Sequence, residues 1–324
     1  MNKNKQFFGI DISKDVFDVV DHADNHYQFK NDLSGFWKFG KILTEHSHCV
    51  MEVTGSYYQK LATWLFSKSI NVSVVNPLSV KRFIQMRLKT SKTDKSDARM
   101  IRIYGEYENP KLWQPPSQYI IEANELHKLI ELLLKQRTAL KNKLHGLKSK
   151  GISASAVVTS VRRQIRNLNK EVSSLEVKLE DLIKECQADL LSRLCSIPGI
   201  GKRTAIFLIV LTQGFEKFEN SRQLISYFGL NPTIHQSGSS IRGSSRISKT
   251  GNNHIRNLLF MCSFTACEHN KSCRDIYQRI IAKGKSKKLA LIAVANKLLK
   301  QSLAIAKSGL LYDENFKSVY VNIG

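Results

Sequence analysis

The segment FFGIDI (residues 7–12), a short apolar run with a single carboxylate inside it, indicates how the first part of the chain folds. Such a run is typical of a buried strand. Three later segments are also short, mainly apolar runs: VFDVV at 16–20, CVMEV at 49–53 and INVSVV at 70–75. Helical patterns are expected between and after them, over 57–67 and 78–107. This alternation predicts an α/β domain over residues 1–118, closed by a linker at Trp113-Gln114-Pro115-Pro116.

Two long helices are expected over residues 119–186. In the first, leucines recur every seven positions, at Leu126, Leu133, Leu140 and Leu147. The second follows a 4-3 repeat through Val161, Ile165, Leu168, Val172, Leu175, Leu179 and Leu182. A turn at 151–155 separates them, so the pattern predicts an antiparallel coiled-coil arm over 119–188. A local helical hairpin that packs on its own domain is the alternative, and dimerisation through the arm stays open.

The rest of the chain, 189–324, is predicted to be a mainly helical domain with Gly/Ser-rich interruptions. An Ala/Leu/Lys-rich helix at 285–307 is expected to close it.

Charge indicates the partner. The chain has 50 Lys+Arg against 27 Asp+Glu, a net charge of +23. Residues 1–118 hold 17 basic and 12 acidic residues, whereas residues 119–324 hold 33 and 15. A field of this sign attracts polyanions, so nucleic acid is the leading class of partner. Charge by itself names no activity.

The six cysteines are scattered, without a CxxC pair or a histidine at zinc spacing, so reduced thiols are expected. No signal peptide and no 18-residue apolar run is present, and we expect a cytoplasmic protein with no membrane partner.

Four carboxylates stand out in the α/β region. Asp11 lies in the middle of the first apolar run, and Glu52 holds the matching position in the third. Asp94 and Asp97 are three apart and would share one face of a helix. Singly, each has an ordinary explanation as a turn or a solvated helix face. Together they resemble the order of acids in an RNase H-like nuclease core, where divalent ions such as Mg²⁺ bind a phosphodiester.

The motif IPGIGK (197–202) predicts a tight turn before a helix. Gly199 and Gly201 allow the turn, and the amides, Lys202 and Arg203 could contact a phosphate. This resembles a helix-hairpin-helix, which binds nucleic-acid backbone without base recognition. An ordinary glycine-rich helix turn is the alternative.

A Ser/Gly-rich loop follows, with Ser237, Arg242, Arg246 and Lys249. Its basic residues could surround a phosphate while a serine hydroxyl attacks the phosphorus. On spacing alone, a flexible polar linker explains the segment better.

The motifs GIDISK, MEVTG, KTDKSDA, IPGIG, YFGLNP, SG and ISKTGN occur in one order along nearly the whole chain. In that combination the chain resembles the DEDD transposases of bacterial insertion sequences, which are related to Piv invertases and are described as bridge-RNA-guided recombinases. The resemblance implies a RuvC-like N-terminal domain, a coiled-coil connection and a C-terminal transposase domain. It also implies that Asp11, Glu52, Asp94 and Asp97 bind Mg²⁺ and that Ser237 is the nucleophile.

The implied mechanism is attack of Ser237 on DNA, a 5′-phosphoserine link and strand exchange. The implied partners are donor and target DNA, a structured guide RNA and further copies of the chain in a dimer or tetramer. Ser239, Ser240, Ser244 and Ser245 compete for the role of Ser237. Three alternatives remain: a metal-only nuclease or resolvase, a site-specific DNA invertase, and a non-catalytic nucleic-acid-binding protein.

Overall fold

The computed structural model describes residues 5–53, 55–87, 93–152, 155–233, 236–237, 241–242, 246–248 and 251–316. The chain forms two compact units, unit 1 over residues 1–116 and unit 2 over residues 117–324. The arm predicted for 119–188 and the domain predicted for 189–324 lie in the same unit. The division of the chain into three domains stays a prediction.

Unit 1 is built on a five-stranded sheet whose strands are β1 (Gln6–Ile12), β2 (Val16–Val20), β3 (His26–Lys30), β4 (Ser47–Glu52) and β5 (Asn71–Val75). Their order is β3-β2-β1-β4-β5. The first three strands pair antiparallel, and β1, β4 and β5 pair parallel. Four helices accompany the sheet: α1 (Leu33–Gly40), α2 (Tyr58–Ser67), α3 (Pro77–Met86) and α4 (Asp94–Glu108). An α/β fold for this region is confirmed.

Side chains alternate between the two faces of this sheet. Phe8, Ile10 and Ile12 of β1 join a buried cluster with Phe36 and Phe39 of α1 and Leu61 and Leu65 of α2. Phe7 and Val50 join a second cluster, with Val80 of α3 and Ile101 of α4. The second face, which α3 and α4 cover, is the one that carries Asp11.

The prediction of one helix over 78–107 is wrong, because the structure has two helices there, α3 and α4. Asn76 caps α3 by accepting a hydrogen bond from the Leu78 amide at 2.9 Å, and α3 ends before Arg87. A new helix begins at Thr93, where Thr93 and Ser96 cap each other's amides. The capping pair starts α4 independently of the apolar periodicity, which therefore gave no sign of the break. Strand β3 and helix α1 are further elements that the sequence patterns did not indicate.

Unit 2 is mainly helical. Its helices are α5 (Gln118–Ser149), α6 (Ala156–Cys195), α7 (Lys202–Thr212), α8 (Ser221–Tyr227), α9 (Asn253–His269), α10 (Lys271–Ala282) and α11 (Lys287–Ser308). Among the described residues between α8 and α9 are the two-residue strands β6 (Pro232–Thr233), β7 (Gln236–Ser237), β8 (Ile241–Arg242) and β9 (Arg246–Ile247). The two long helices and the closing helix are confirmed. α6 extends beyond residue 186, with non-helical backbone at Gln187 (φ −145°, ψ 35°).

The core of unit 2 forms around α7, whose residues Phe207, Leu208, Ile209 and Val210 are all buried. Leu175, Leu179 and Ile183 of α6 pack into the same cluster. In the described part of the chain, α11 is the helix that is long and apolar enough to cross a membrane. Half of its apolar stretch is buried, with Leu298 and Leu299 fully enclosed, so its apolar residues serve the core of unit 2.

Candidate active site

The four predicted acids belong to three elements of unit 1. Ile10 of β1 is the partner of Met51 on the parallel strand β4. Asp11 and Glu52 follow these two residues, so they occupy equivalent positions at the carboxyl ends of adjacent strands. This edge of an open α/β sheet is where ligands bind.

Helix α4 crosses the face of β1 that carries Asp11. The backbones of the two elements approach closely there because Gly9 has no side chain. A Cβ at Gly9 would overlap the carbonyl oxygen of Ala98 and the amide nitrogen of Arg102, both in α4. Gly9 and Asp11 point to the same side of their strand. The close approach therefore brings the first turn of α4 towards Asp11.

Asp94 and Asp97 are both in that first turn of α4. The amides of a helix N-terminus carry partial positive charge, which offsets some of the repulsion between neighbouring carboxylates. Asp94 is exposed, whereas Asp97, Asp11 and Glu52 are half-buried. The cluster is thus open to solvent on one side and could receive a phosphate.

Electrostatics link all four acids. Burial, followed by the negative charges of Glu52, Asp97, Asp94 and Asp18, raises the pKa of Asp11 from 3.8 to about 6. A carboxylate that resists ionisation for these reasons is stabilised by a proton or by a bound cation. The donor set is made only of carboxylate oxygens, which is the chemistry that Mg²⁺ prefers.

Asp18 is an acid of this region that the sequence analysis did not select. It is 5% exposed and is the direct cross-strand partner of Asp11 on β2. Its carboxylate lies 2.7 Å from His26 Nε2 and accepts a hydrogen bond from Gln28 Nε2 at 3.3 Å. The signal was available in principle, since a hairpin between 7–12 and 16–20 pairs these two positions.

Two arginines hold α4 against the β2–β3 turn. Arg99 and Arg102 both form ion pairs with Asp24, and Arg102 also pairs with Glu106 at 2.5 Å. Arg102 is the more enclosed of the two, with 11% of its side chain exposed against 47% for Arg99. These pairs fix the height of α4 over the sheet and with it the position of Asp94 and Asp97.

The predicted phosphate turn in unit 2 lies between α6 and α7. Gly199 has a φ of +105°, and a Cβ there would lie 2.6 Å from the Ala266 Cβ. Gly199 is therefore required by backbone conformation and by packing against α9. A Cβ at Gly201 would meet nothing within 4 Å, so the N-terminus of α7 is accessible at that residue.

The two basic residues of this turn are already paired within the chain. Lys202 Nζ lies 3.1 Å from Glu180 Oε1, and the Arg203 guanidinium lies 2.7 Å from Glu176 Oε1. Both carboxylates belong to α6. A phosphate at this turn would compete with them, a condition that the sequence did not reveal.

The described residues of the serine segment lie in short strands. Its backbone forms two small antiparallel pairs, β6 with β9 and β7 with β8, and Ser237 stands opposite Ile241. Arg242 stands opposite Gln236, and Arg246 is exposed on β9. Lys249 and the competing serines Ser239, Ser240, Ser244 and Ser245 lie outside the described residues.

Family models match both parts of the chain. A DEDD transposase model of the IS110 group matches residues 8–148, and a model described as transposase IS116/IS110/IS902 family matches residues 191–278. The first match includes the four acids, and the second includes the turn at 196–202 and Ser237.

Individual proteins are similar over most of the chain. The pilin gene-inverting protein of Moraxella bovis is 34% identical over 325 residues, which cover 96% of this chain and 98% of that protein. The transposase for insertion sequence element IS1111A of Coxiella burnetii is 26% identical, with 91% of this chain and 88% of that protein covered.

Proposed function

The chain belongs to the IS116/IS110/IS902 transposase family and is a DNA recombinase, and from this premise we propose that it cuts and rejoins DNA through a phosphoserine intermediate at a divalent-cation site. The observation that carries the proposal is the electrostatic coupling of Asp11 to Glu52, Asp94 and Asp97. Asp11, Glu52 and the Asp94–Asp97 pair are well separated in sequence and act on one another only because the fold brings them to one edge of the sheet.

Asp11, Glu52, Asp94 and Asp97 would hold Mg²⁺, which suits a set of carboxylate oxygens. Bound there, the cation would offset negative charge on a phosphodiester as it reacts. The four carboxylates would hold that cation and, through it, the phosphate, and Gly9 keeps α4 close enough for Asp94 and Asp97 to take part. The charge of Asp18 adds to the repulsion that raises the pKa of Asp11. A RuvC-like fold for unit 1 is proposed on the same grounds, supported by the mixed sheet order β3-β2-β1-β4-β5.

Ser237 is the proposed nucleophile. Its hydroxyl oxygen forms a bond to the phosphorus, and the bond from phosphorus to the 3′ oxygen breaks. The serine proton is lost to a base, and the departing 3′ oxygen gains a proton, which leaves a 5′-phosphoserine and a free 3′-hydroxyl. Attack by another 3′-hydroxyl then reverses these bond changes and rejoins the DNA. Support comes from the family and from the cationic residues Arg242 and Arg246 in the same segment.

Unit 2 is proposed to hold the nucleic acids through their backbones. The excess of basic residues in 119–324 and the accessible N-terminus of α7 at Gly201 support this role, with the turn at 196–202 acting as a helix-hairpin-helix. A structured guide RNA would use the same positive surface, and base pairing by that RNA would then select the DNA.

Assembly of several copies is proposed to occur through the hairpin of α5 and α6, acting as a coiled-coil arm. Its inner part is buried at Ile130 and Val172, whereas Leu129 and Leu132 are 41% and 50% exposed. Exposed leucines on a long helix are suited to a second copy. A dimer or tetramer is expected.

Inversion of a DNA segment is a second candidate outcome, alongside transposition of an element. The specific observation in its favour is the 34% identity, over nearly both full lengths, with a protein named for pilin gene inversion. The same strand chemistry serves both outcomes, so the arrangement of the DNA sites decides between them.

The experiment traps the covalent intermediate. The purified protein is incubated with Mg²⁺, DNA carrying its element ends and co-purified RNA, and denatured adducts are digested for mass spectrometry. We expect a phosphoserine at Ser237, loss of the adduct in Ser237→Ala, and an adduct that persists when Ser239, Ser240, Ser244 or Ser245 is replaced by alanine. DNA cleavage by Ser237→Ala would instead identify a metal-only nuclease. Unchanged recombination by Asp11→Asn would identify a protein that does not use the acidic cluster.

A further inference from the structure

A second group of potential metal ligands lies in unit 2. His127 and Glu131 are one helical turn apart on α5 and share a face of that helix. His254, in the first turn of α9, faces them, and the ligand atoms of the three side chains lie within 4.8 Å of one another.

The imidazole of His127 is buried without a hydrogen bond that satisfies it. The residue is 2% exposed, and among the described residues its Nε2 atom has no hydrogen-bond partner. The Nδ1 atom of His254 is likewise buried without a hydrogen bond in the described part of the chain. Leaving two buried polar atoms unsatisfied is unfavourable, and one cation between them would satisfy both.

The neighbours hold the three side chains in a ligating arrangement. The ring of Phe207 packs against both histidines, with centroids 4.7 Å from His127 and 5.2 Å from His254. Asn252 donates a hydrogen bond from Nδ2 to Glu131 Oε1 at 2.9 Å, while its own Oδ1 caps α9. Fixing a ligating carboxylate by a second residue is a regular property of metal sites.

The local charges suit a dication. Burial lowers the pKa of both histidines, so both are neutral at neutral pH, which is the form that binds metal. Glu131 supplies one negative charge. The nearby cation Arg203 is paired with Glu176 at 2.7 Å.

Geometry and access favour one class of ion. His254 Nδ1 and Glu131 Oε1 are 3.6 Å apart. Two ligand atoms that each lie about 2.1 Å from a tetrahedral metal ion are about 3.4 Å apart. The His254 and Glu131 atoms therefore need to move little to bind one ion, and the His127 side chain needs a small rotation. A surface cavity lined by Glu131, Asn252 and His254 gives an ion and a fourth, water ligand a way in.

We propose that His127, Glu131 and His254 bind Zn²⁺ or a similar first-row transition-metal ion, in unit 2 and independently of the acidic cluster of unit 1. Two imidazoles and a carboxylate select such an ion over Mg²⁺, which prefers oxygen ligands. The ion would tie α5 to the first turn of α9, directly after the segment that carries Ser237. Its role is therefore to position the end of that segment.

The test uses full-length protein that has been stripped with a chelator and titrated with Co²⁺, whose visible absorption reports nitrogen-containing coordination, and with Zn²⁺ in competition. We expect one equivalent of Co²⁺ to give this absorption and Zn²⁺ to abolish it. His254→Gln and Glu131→Gln should weaken Co²⁺ binding by at least about tenfold to a hundredfold, and Asn252→Ala by about tenfold.

Matched controls lie on the same helices. His145→Gln on α5 and His269→Gln on α9 replace exposed histidines and should bind Co²⁺ like the wild type. Asp11→Asn should also bind Co²⁺ normally at this site, which separates the result from any failure of the acidic cluster. Absence of the absorption in wild type, or equal affinity in His254→Gln and in His269→Gln, would overturn the proposal.

Discussion

Asp11 and Asp18 stand directly opposite one another on the antiparallel strands β1 and β2. Like charges at opposed positions destabilise a pair of strands. Asp18 has His26 and Gln28 as partners, and it adds to the negative charge that raises the pKa of Asp11. A bound cation would therefore reduce the repulsion among the carboxylates of this cluster.

Asp11→Asn should stabilise the cation-free protein at neutral pH. The folded pKa of Asp11 is about 6, against 3.8 for an ordinary aspartate. The contribution of Asp11 to the free energy of unfolding is therefore fully present below about pH 4 and is lost as the pH rises through about 6. Because Asp11 is only half-buried, solvent screening keeps the gain at pH 7 below about 3 kcal/mol. Urea unfolding in EDTA at about pH 4.5 and at about pH 7.5, on either side of the folded pKa, measures this gain.

The control for this substitution is Asp15→Asn, which removes an exposed carboxylate from the β1–β2 turn. It should leave the pH dependence of unfolding as in wild type. A wild-type protein whose stability in EDTA rises from pH 5 to pH 7 relative to Asp11→Asn would contradict the coupling.

Gly9→Ala should disrupt the acidic cluster by moving α4 away from β1. The new Cβ would overlap backbone atoms of Ala98 and Arg102, which no side-chain rotation relieves. We expect a loss of about 3 kcal/mol or more in unfolding free energy and weaker Mg²⁺ binding. Thermal unfolding and calorimetric Mg²⁺ titration measure the two effects.

Gly146→Ala is the matched control, since a Cβ there meets nothing within 4 Å and the residue lies inside α5. It should stabilise the protein by about 1 kcal/mol or less. Equal behaviour of the two alanine variants would show that α4 does not depend on Gly9.

Arg102→Ala should destabilise unit 1 more than Arg99→Ala does. Arg102 is nearly enclosed and pairs with both Asp24 and Glu106, whereas Arg99 is half-exposed. We expect a loss of about 2–3 kcal/mol for Arg102→Ala and about 0–1 kcal/mol for Arg99→Ala, measured by urea unfolding. The reverse order would mean that the exposed pair anchors α4.

Lys202→Ala should weaken DNA binding regardless of DNA sequence. It should also make the slope of the logarithm of the binding constant against the logarithm of the salt concentration shallower by about one. Glu180→Gln should have the opposite effect and raise affinity up to about fivefold, because it releases Lys202 from its ion pair. Fluorescence anisotropy over a range of salt concentrations measures both. A weaker affinity in Glu180→Gln would indicate that the ion pair, rather than the free lysine, shapes the DNA-binding surface.

Local sequence was sufficient for much of the fold. The apolar runs at 7–12, 16–20 and 49–53 became β1, β2 and β4, and the heptad leucines became α5 and α6. It was insufficient where helix ends depended on capping, as at Thr93, and where short polar strands formed, as at β7 and β8. Apolar periodicity carries no information about either feature.

Local sequence specified the chemical groups and the elements that carry them: four acids on two strands and one helix, a basic helical part and a serine segment. Which of these groups lie together depended on packing in three dimensions. That packing set Asp18 against Asp11, let α4 approach β1 over Gly9, paired Lys202 with Glu180 and brought His254 to His127. These meetings depend on strand register and helix packing between residues far apart in the chain, and no local propensity encodes either one.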